Sequence, residues 1–433
     1  MIATDKDWVP EIGPATANAA SIADGWRSRL LKSDTGKTIP CLANAITALR
    51  HAPEWDGVIA FDEFALRTVA RKSPPWAGEK GGWTDNHDRH AAAWFQRNGI
   101  FVKVRDAGDA VQAVARDNVF HPVREYLDSL EWDGVRRIGG WLSLYLGAQQ
   151  THYSTAVGER FLTSAVARIY RPGVKADSLL IFEGRQGLKK SQAARVLGEP
   201  WFSDEVSDIR NKDATMQLHG VWIVELAELD ALRLSDVARI KSFISRQTDH
   251  YRPPYGHRVI DVDRQCVFVG TGNRFDWHKD ETGGRRFWPI RCAEEIDIEK
   301  LRDAKDQLWA EAVVRFRSGA PWWLETAELN RKAEREQEDR YDGDVWDALI
   351  LPWAEDRLKA GLDSVSVGEV LELCIGKSKD RWDRGDQMRV SRCLVAGCWE
   401  RYRDRKRGME WRYRPNVPKL VGNNAEVGNA QTC

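Results

Sequence analysis

Short apolar runs alternate with amphipathic stretches between residues 174 and 292. The run "VWIVELAEL" is almost continuously apolar, as expected for a strand buried on both faces, and "SLLIFEG", "RQCVFVGTGN" and "RRFWPIRC" are predicted to be further strands. The stretches "SQAARVLG" and "DVARIKSFISR" lie between them and have apolar residues at helical spacing. This alternation predicts an α/β domain with a parallel sheet and helices on both of its faces.

The flanking regions have different patterns. From Trp26 to about Gly108 the chain mixes a helix in "IPCLANAITALRHA", a strand in "DGVIAFDEF" and a strand ending "HAAAWFQRNGIFVKV". Helical spacing then continues to about Gly173, and three helices followed by a hairpin are predicted near the C-terminus.

These patterns together predict seven segments. They are a flexible arm (1–24), a small N-terminal α/β domain (25–110), a helical connector (111–173), the central α/β domain (174–324), a charged helical linker (325–344), a winged-helix-like domain (345–415) and a disordered tail (416–433).

Composition narrows the protein class only slightly. The 433 residues include 65 basic and 65 acidic side chains, so a basic nucleic-acid surface must be local. The seven cysteines form no Cys-x-x-Cys pair, which favours free thiols in a reducing compartment over disulfides or a zinc site. The sequence has neither a secretion signal nor an apolar run of membrane-spanning length, and we expect a cytoplasmic protein.

A candidate phosphate-binding loop follows the first strand of the central domain. The general pattern is Gly-x-x-x-x-Gly-Lys-[Ser/Thr], and residues 184–191 read "GRQGLKKS". In this alignment Lys190 would reach the β- and γ-phosphates of ATP and Ser191 would bind Mg²⁺. The remaining predicted nucleotide-binding residues are Gly184, Gln186, Gly187 and Lys189. Because Lys189 replaces the second glycine, the motif alone fits an ordinary turn before a helix equally well.

The next strands carry polar residues where an ATPase needs them. Glu225 lies inside a buried strand and Glu228 at or beyond its end, so these carboxylates could hold the Mg²⁺ shell and activate water. Glu228 suits a solvent-facing position equally well, whereas a charge inside an apolar strand needs a reason. Asn273 could orient the attacking water, and Arg285 or Arg286 could reach a neighbouring subunit's γ-phosphate.

With these motifs the sequence resembles the virulence-associated E family. The family is represented by P-loop ATPases of phages and other mobile elements, related to superfamily 3 helicases. The resemblance is carried by "EGRQGLKKS", "VWIVELAEL", "VFVGTGN" and "DETGGRRFWPI". It implies an AAA+-like core that assembles into a homo-oligomeric ring, usually a hexamer, and moves on DNA using ATP and Mg²⁺.

The resemblance also implies functional residues. It assigns the phosphate loop to Gly184, Gly187, Lys190 and Ser191, the acidic motif to Glu225 and Glu228, the sensor to Asn273 and the arginine finger to Arg285 or Arg286. It implies a DNA-contacting hairpin from Lys241 to Arg258, in which Arg252, Tyr255 and Arg258 interleave basic and aromatic groups. A Pro-rich turn between strands, without contact to DNA, fits the same residues.

Position 189 departs from the family pattern. Glycine is usual there, since it lets the backbone approach the phosphates and adopt dihedral angles that other residues resist. Lys189 could prevent closure of the loop, or it could take a helical dihedral and add a cation.

The C-terminal region has a local basic excess. Residues 376–414 contain 13 Lys or Arg and 6 Asp or Glu, with tryptophan and tyrosine interleaved. A predicted helix from about Gln387 to Trp399, followed by a basic hairpin, favours a winged helix that binds DNA. A solvated basic face is the alternative. The DNA-binding candidates here are Arg389, Arg405, Lys406 and Arg407.

We therefore expect a DNA-dependent ATPase, a ring-forming replicative helicase acting on single-stranded or forked DNA. The alternatives are a DNA-binding scaffold with a degenerate phosphate loop and a nucleotide-sensing component of a defence or virulence system.

Overall fold

The computed structural model describes residues 25–76, 78–205, 212–227, 234–252, 258–273, 286–338, 346–404 and 409–416. The chain divides into two compact units, Met1–Arg340 and Tyr341–Cys433. No helix within the described ranges is long and apolar enough to cross a membrane.

The first unit begins with a four-stranded sheet of order β3-β2-β1-β4, in which β1 pairs with β4 in parallel and with β2 antiparallel. Its elements are α1 (Leu42–His51), β1 (Ile59–Asp62), β2 (Arg67–Ala70), β3 (Gly81–Gly82), α2 (Asp85–Arg97), α3 (Val104–Ala115) and β4 (Val119–Phe120). The core below this sheet contains Trp26, Trp55 and Trp94. Strand β2 was not anticipated from the sequence.

The strand expected at the end of "HAAAWFQRNGIFVKV" was wrong. Residues 98–103 connect α2 to α3 without a strand. Ile100 and Val102 are buried and Phe101 is exposed, which reproduces the alternation of a strand. Since α3 begins directly at Val104, these apolar side chains anchor a connection between two helices.

A helical layer follows and packs on the central sheet. It consists of α4 (Pro122–Ser129), α5 (Trp141–Leu146) and α6 (His152–Tyr170). Phe161, Leu162 and Val166 of α6 are completely buried in the largest apolar cluster of the molecule. Such a helix, apolar on most sides, belongs in the interior of a domain.

The central sheet is parallel, as the alternation of strands and helices predicted. Its order is β11-β5-β10-β7-β6, and every neighbouring pair is parallel. The elements are β5 (Leu179–Glu183), α7 (Lys190–Gly198), β6 (Phe202–Ser203), β7 (Ile223–Leu226), α8 (Leu234–Ile244), β8 (Thr248–Tyr251), β9 (Ile260–Asp263), β10 (Val267–Gly272), β11 (Phe287–Arg291), α9 (Ile298–Arg317) and α10 (Ala327–Glu338).

Both faces of this sheet are covered. Leu180 and Phe182 of β5 point into the cluster that contains α6, α7 and α9, whereas Leu179 and Ile181 point into a second cluster with α8. This explains why the strands are continuously apolar. The carboxyl ends are aligned, because Gly272 pairs with Glu183 and Gly270 with Leu226.

Helix α10 covers most of the segment expected to be a charged linker. Leu329 and Ala333 on one side of α10 are buried in the same cluster as α6 and α9. The segment therefore packs into the first unit through an apolar stripe. This stripe is hard to recognise in the sequence because charged residues surround it.

The second unit has three helical regions and a small antiparallel sheet of order β12-β14-β13. Its elements are α11 (Asp347–Lys359), β12 (Val365–Ser366), α12 (Val367–Glu369) with the π-helical turn Val370–Cys374, α13 (Arg384–Ala396), β13 (Trp399–Asp404) and β14 (Glu410–Pro415). Ile350, Val390, Leu394, Trp399 and Tyr413 form its core. The chain order of helices followed by a hairpin agrees with the sequence pattern.

Candidate nucleotide site

The loop between β5 and α7 begins with a glycine that no other residue can replace without rearrangement. Gly184 has φ +147°, and a Cβ atom there would lie 2.6 Å from the carbonyl oxygen of Cys292. That carbonyl follows β11, so the neighbouring strand fixes the start of the loop. Burial raises the pKa of the Cys292 thiol to about 12, so this side chain is a neutral packing group.

Lys189 occupies the left-handed region of backbone space, with φ 64° and ψ 26°. For a residue with a Cβ this conformation costs about 1–2 kcal/mol relative to the right-handed helix, whereas glycine adopts it freely. The expectation that Lys189 takes a helical dihedral was wrong, because the residue adopts the left-handed conformation that glycine would have at this position. Its ammonium lies 2.6 Å from Glu295 Oε1, and this hydrogen bond lowers the pKa of the Glu295 carboxyl and raises that of Lys189.

Lys190 is the first residue of α7, and its side chain is buried beneath the loop. Its ammonium donates to the carbonyl oxygens of Gly184 (2.6 Å) and Arg185 (2.9 Å) and to Asn273 Oδ1 (3.2 Å). The loop lysine and the residue predicted as a sensor are thus brought together by β5 and β10, which are adjacent strands.

Glu225 lies at the centre of the site and is 2% exposed. Its Oε1 atom accepts hydrogen bonds from Ser191 Oγ (2.6 Å) and Thr271 Oγ1 (2.7 Å). Its other oxygen, Oε2, is buried and accepts no hydrogen bond from the described part of the chain. A buried carboxylate oxygen without a donor is expensive, which makes this atom the strongest indication of a missing partner.

Thr271 was not anticipated from the sequence. It lies on β10 two residues before Asn273, in a strand whose other members are apolar or glycine. Its position could have indicated its role, because it is a hydroxyl near the carboxyl end of a buried parallel strand. Ligands of open α/β sheets bind beyond those ends.

Ser191 and Thr271, the hydrogen-bond partners of Glu225, line a cavity of about 400 Å³ at the carboxyl edge of the sheet. Its walls are formed by the loop, the first turn of α7 and the ends of β7 and β10: Gln186, Gly187, Leu188, Lys189, Lys190, Ser191, Gln192, Ala227, Thr271, Gly272 and Asn273. The volume falls within the range typical of small-molecule sites. The amino end of a nine-residue helix faces this space, and the backbone N–H groups of a first helical turn favour an anion.

The predicted Arg286 lies at the opposite edge of the sheet from this cavity. Arg286 precedes β11 at the amino edge of the sheet, and its Nε is 3.3 Å from Asp177 Oδ2. Phe287 pairs with Leu179 and Arg291 with Glu183, so the length of β11 separates Arg286 from the loop. Glu228 and Arg285 are outside the described residues.

Comparison with known families identifies the central region. The model of the virulence-associated protein E-like domain matches residues 127–342. The chain carries a VapE-like domain. This agrees with the resemblance that the motifs indicated for the central region, and the P-loop ATPase assignment stays a prediction. The match extends from α4 to just beyond α10 and includes every element of the candidate nucleotide site.

Solved structures similar to this chain include two of the NrS-1 C-terminal region. One, an apo structure of residues 305–718, is 14% identical, covers 82% of this chain and 95% of that chain, and gives a TM-score of 0.48. Another, the A form, is 13% identical, covers 82% of this chain and 96% of that chain, and gives a TM-score of 0.44. No curated protein sequence matches the chain.

Within the VapE-like domain, β8 and β9 form the antiparallel pair of the expected hairpin. Arg252 and Arg258 flank its tip and are exposed, and Tyr255 is outside the described residues. Lys241 is not part of this hairpin. It lies on α8, is 8% exposed, and its ammonium is 5.4 Å from the Phe287 ring centroid, so burial removes it from the DNA-facing candidates.

Beyond the VapE-like domain, the hairpin of the second unit carries exposed cations over aromatic rings. The guanidinium groups of Arg401 and Arg403 lie 4.0 Å and 4.8 Å from the Trp411 ring centroid. Arg389 of α13 lies 4.0 Å from the Trp346 ring. Arg401 and Arg403 were missed individually, although the basic excess pointed to their region. Arg405, Lys406 and Arg407 are outside the described residues.

Proposed function

We propose that the VapE-like domain is a Mg²⁺-dependent ATPase, and that the whole chain is a DNA-dependent, ring-forming helicase of a mobile genetic element. The single observation that carries the proposal is the convergence of Lys190, Ser191 and Glu225 at the carboxyl edge of one parallel sheet. A phosphate loop, a hydroxyl and a carboxylate in that arrangement are what phosphoryl transfer from ATP requires.

The donor set fits a magnesium ion. Glu225 Oε2 and Ser191 Oγ are hard oxygen ligands, and Mg²⁺ characteristically binds through one or two protein oxygens together with substrate phosphates. The unsatisfied Oε2 atom supports this assignment, because a cation would compensate the buried charge. When bound, Mg²⁺ would neutralise charge that develops on the phosphate oxygens.

The protein groups have separate roles in this proposal. The Lys190 ammonium now contacts carbonyl oxygens of its own loop and would turn towards the β- and γ-phosphates. Thr271 and Ser191 both donate to Glu225 Oε1, which fixes the carboxylate and leaves its second oxygen for a ligand. Asn273, freed from Lys190, could hold the attacking water in line with the γ-phosphorus.

The position of Arg286 supports a role towards a neighbouring subunit. Five residue steps along β11, about 16 Å, separate it from the edge that carries the loop. It therefore cannot serve its own nucleotide without rearrangement of the sheet. A ring in which each Arg286 approaches the next subunit's ATP would use it, and mixing Lys190→Ala with Arg286→Ala subunits should then restore part of the activity. No rescue at any ratio, together with a monomeric active species, would contradict the ring.

DNA is the proposed partner because exposed cations lie on two hairpins, and in one of them they lie over an exposed aromatic ring. Arg252 and Arg258 flank the β8–β9 tip, and Arg401 and Arg403 share one face of the C-terminal hairpin with Trp411. Such surfaces bind the phosphates of nucleic acid and stack on its bases.

The left-handed backbone of Lys189 favours a second candidate, a scaffold that binds nucleotide without turnover. A loop that stores conformational strain at this position could fail to close on the phosphates. The two candidates differ in turnover and not in binding.

Calorimetry and hydrolysis assays on wild type and Glu225→Gln separate these functions. The proposal expects ATP binding by both proteins, hydrolysis with Mg²⁺ by wild type, and at least about a hundredfold loss of turnover in the variant, which keeps the shape of the side chain but lacks its charge. ATP binding without hydrolysis by wild type supports the scaffold. No ATP binding would contradict both.

A further inference from the structure

A second cavity of about 440 Å³ lies at the amino edge of the central sheet, on the far side from the phosphate loop. It is bounded by the starts of β5 and β11 and by the segment between α9 and α10. None of the roles assigned above accounts for its aromatic wall.

The aromatic wall is formed by neighbouring tryptophan side chains. Trp322 and Trp323 meet edge to face with ring centroids 5.2 Å apart, and Trp322 Nε1 donates to the carbonyl oxygen of Lys175. Trp322 is therefore held in position, whereas Trp323 is 53% exposed. Keeping a large ring in water costs free energy that binding of another ring would recover.

The charged side of the cavity has a net positive charge. Lys175 Nζ lies 3.9 Å and Arg286 Nε 3.3 Å from the same oxygen of Asp177. One carboxylate thus faces two cations. Lys175 is the more exposed of them, and its flexible ammonium can bind an anion at the mouth of the cavity without breaking the Arg286–Asp177 pair.

We infer that this cavity binds one nucleotide unit of single-stranded DNA, with the base against Trp323 and the phosphate at Lys175. The ligand must combine an anionic group with a flat apolar ring, and a nucleotide unit has both. The inference rests on the proposed DNA partner and adds a contact at a separate edge of the sheet. It relies on Trp323 and Lys175, so it is independent of the role given to Arg286.

The test uses the full-length protein and a short oligothymidylate that carries a photoreactive base. After irradiation, mass spectrometry locates the crosslinked peptides. We expect a crosslink in the peptide that contains Trp323 and about a tenfold loss of its yield in Trp323→Ala, with recovery in Trp323→Phe. Lys175→Glu should lower the yield as well, and Lys175→Arg should preserve it. Phe101→Ala, which removes another exposed ring of the first unit, is the matched control and should change nothing.

Competition identifies the source of the nucleotide. Millimolar dTMP that leaves the crosslink intact supports a strand, and full competition by dTMP supports the same site with a free nucleotide as its occupant. Crosslinks confined to the β8–β9 hairpin or to the C-terminal hairpin would overturn this inference and leave the DNA partner standing. No crosslink anywhere would overturn the inference and the DNA partner, while hydrolysis of ATP without DNA, measured on the same sample, reports separately on the nucleotide site.

Discussion

The candidate nucleotide site of the VapE-like domain and the hairpin of the C-terminal unit place their charged side chains in opposite environments. In the first, Lys190 and Glu225 are almost completely buried and hydrogen-bonded to groups of the loop, the helix and the sheet. In the second, Arg401 and Arg403 are exposed and held over Trp411 by contacts between a cation and a ring.

This difference in burial suits two different roles, a chemical reaction at the buried charges and binding of a polyanion at the exposed ones. A buried charge persists only where it is paired or where a ligand completes its shell, so each member of the buried set is individually necessary. Exposed cations add small, similar increments to the attraction of a polyanion and can be removed one at a time. Substitutions should therefore act almost completely in one region and gradually in the other.

The largest effect is expected for Lys190→Ala. Its ammonium is the charged donor of the loop, and loss of one such donor costs about a hundredfold to a thousandfold in turnover. ATP hydrolysis by the variant would be measured beside Lys300→Ala, an exposed lysine of α9, which should behave as wild type. Equal rates of ATP hydrolysis in Lys190→Ala and Lys300→Ala would show that the buried lysine is no more important for turnover than an exposed one.

A graded effect is expected for Arg401→Gln with Arg403→Gln. If each arginine neutralises one phosphate, the slope of log affinity against log salt for single-stranded DNA should fall by about 1.4, with each single variant giving half of that. Fluorescence anisotropy at several salt concentrations measures it, and Arg105→Gln, an exposed arginine of α3, is the control. An unchanged slope would make the hairpin a solvated face.

A smaller effect, a pH dependence of stability, is expected from His121, which directly precedes α4 and contacts Gln265. Its Nδ1 accepts from the backbone N–H of Arg124 (3.2 Å) while Nε2 meets Gln265 Oε1 (2.7 Å), so the ring is neutral with its proton on Nε2. Burial lowers its pKa below the usual 6.5. The unfolded chain therefore takes up a proton at a pH where the folded chain does not, and the free energy of unfolding should decrease as the pH falls below about 6.5.

Thermal unfolding at pH 7.5 and 5.5 measures this loss. His121→Asn, which cannot titrate, should lose less stability over this interval than wild type, by about 1.4 kcal/mol for each unit by which burial lowers the pKa of the ring. Burial lowers the pKa of His219 also, so part of the dependence should persist in the variant. Identical losses in both proteins would contradict the assignment to His121.

The smallest effect is expected for Lys189→Gly. Glycine would relieve the left-handed strain of about 1 kcal/mol and remove the exposed pair with Glu295, which contributes little in solvent. The hydrolysis rate should change less than about twofold. A nearly inactive wild type whose turnover is restored by Lys189→Gly would instead identify the loop as degenerate.

The sequence predicted the parallel sheet, the loop and the position of Glu225 because buried strands and helices have distinct hydrophobic periods. It could not reveal that Glu225 shares one oxygen between Ser191 and Thr271, since these residues meet only through the order of the strands. Lys241 was mistaken for a hairpin residue because a lysine buried over a ring looks the same in sequence as an exposed one.

The rate of Mg²⁺-dependent ATP hydrolysis by the wild-type chain, measured with and without single-stranded DNA, tests the proposed ATPase directly. We expect measurable hydrolysis without DNA, a higher rate with DNA, and loss of both when EDTA removes the metal. A wild-type protein that binds no ATP and shows no hydrolysis under either condition would contradict the proposal.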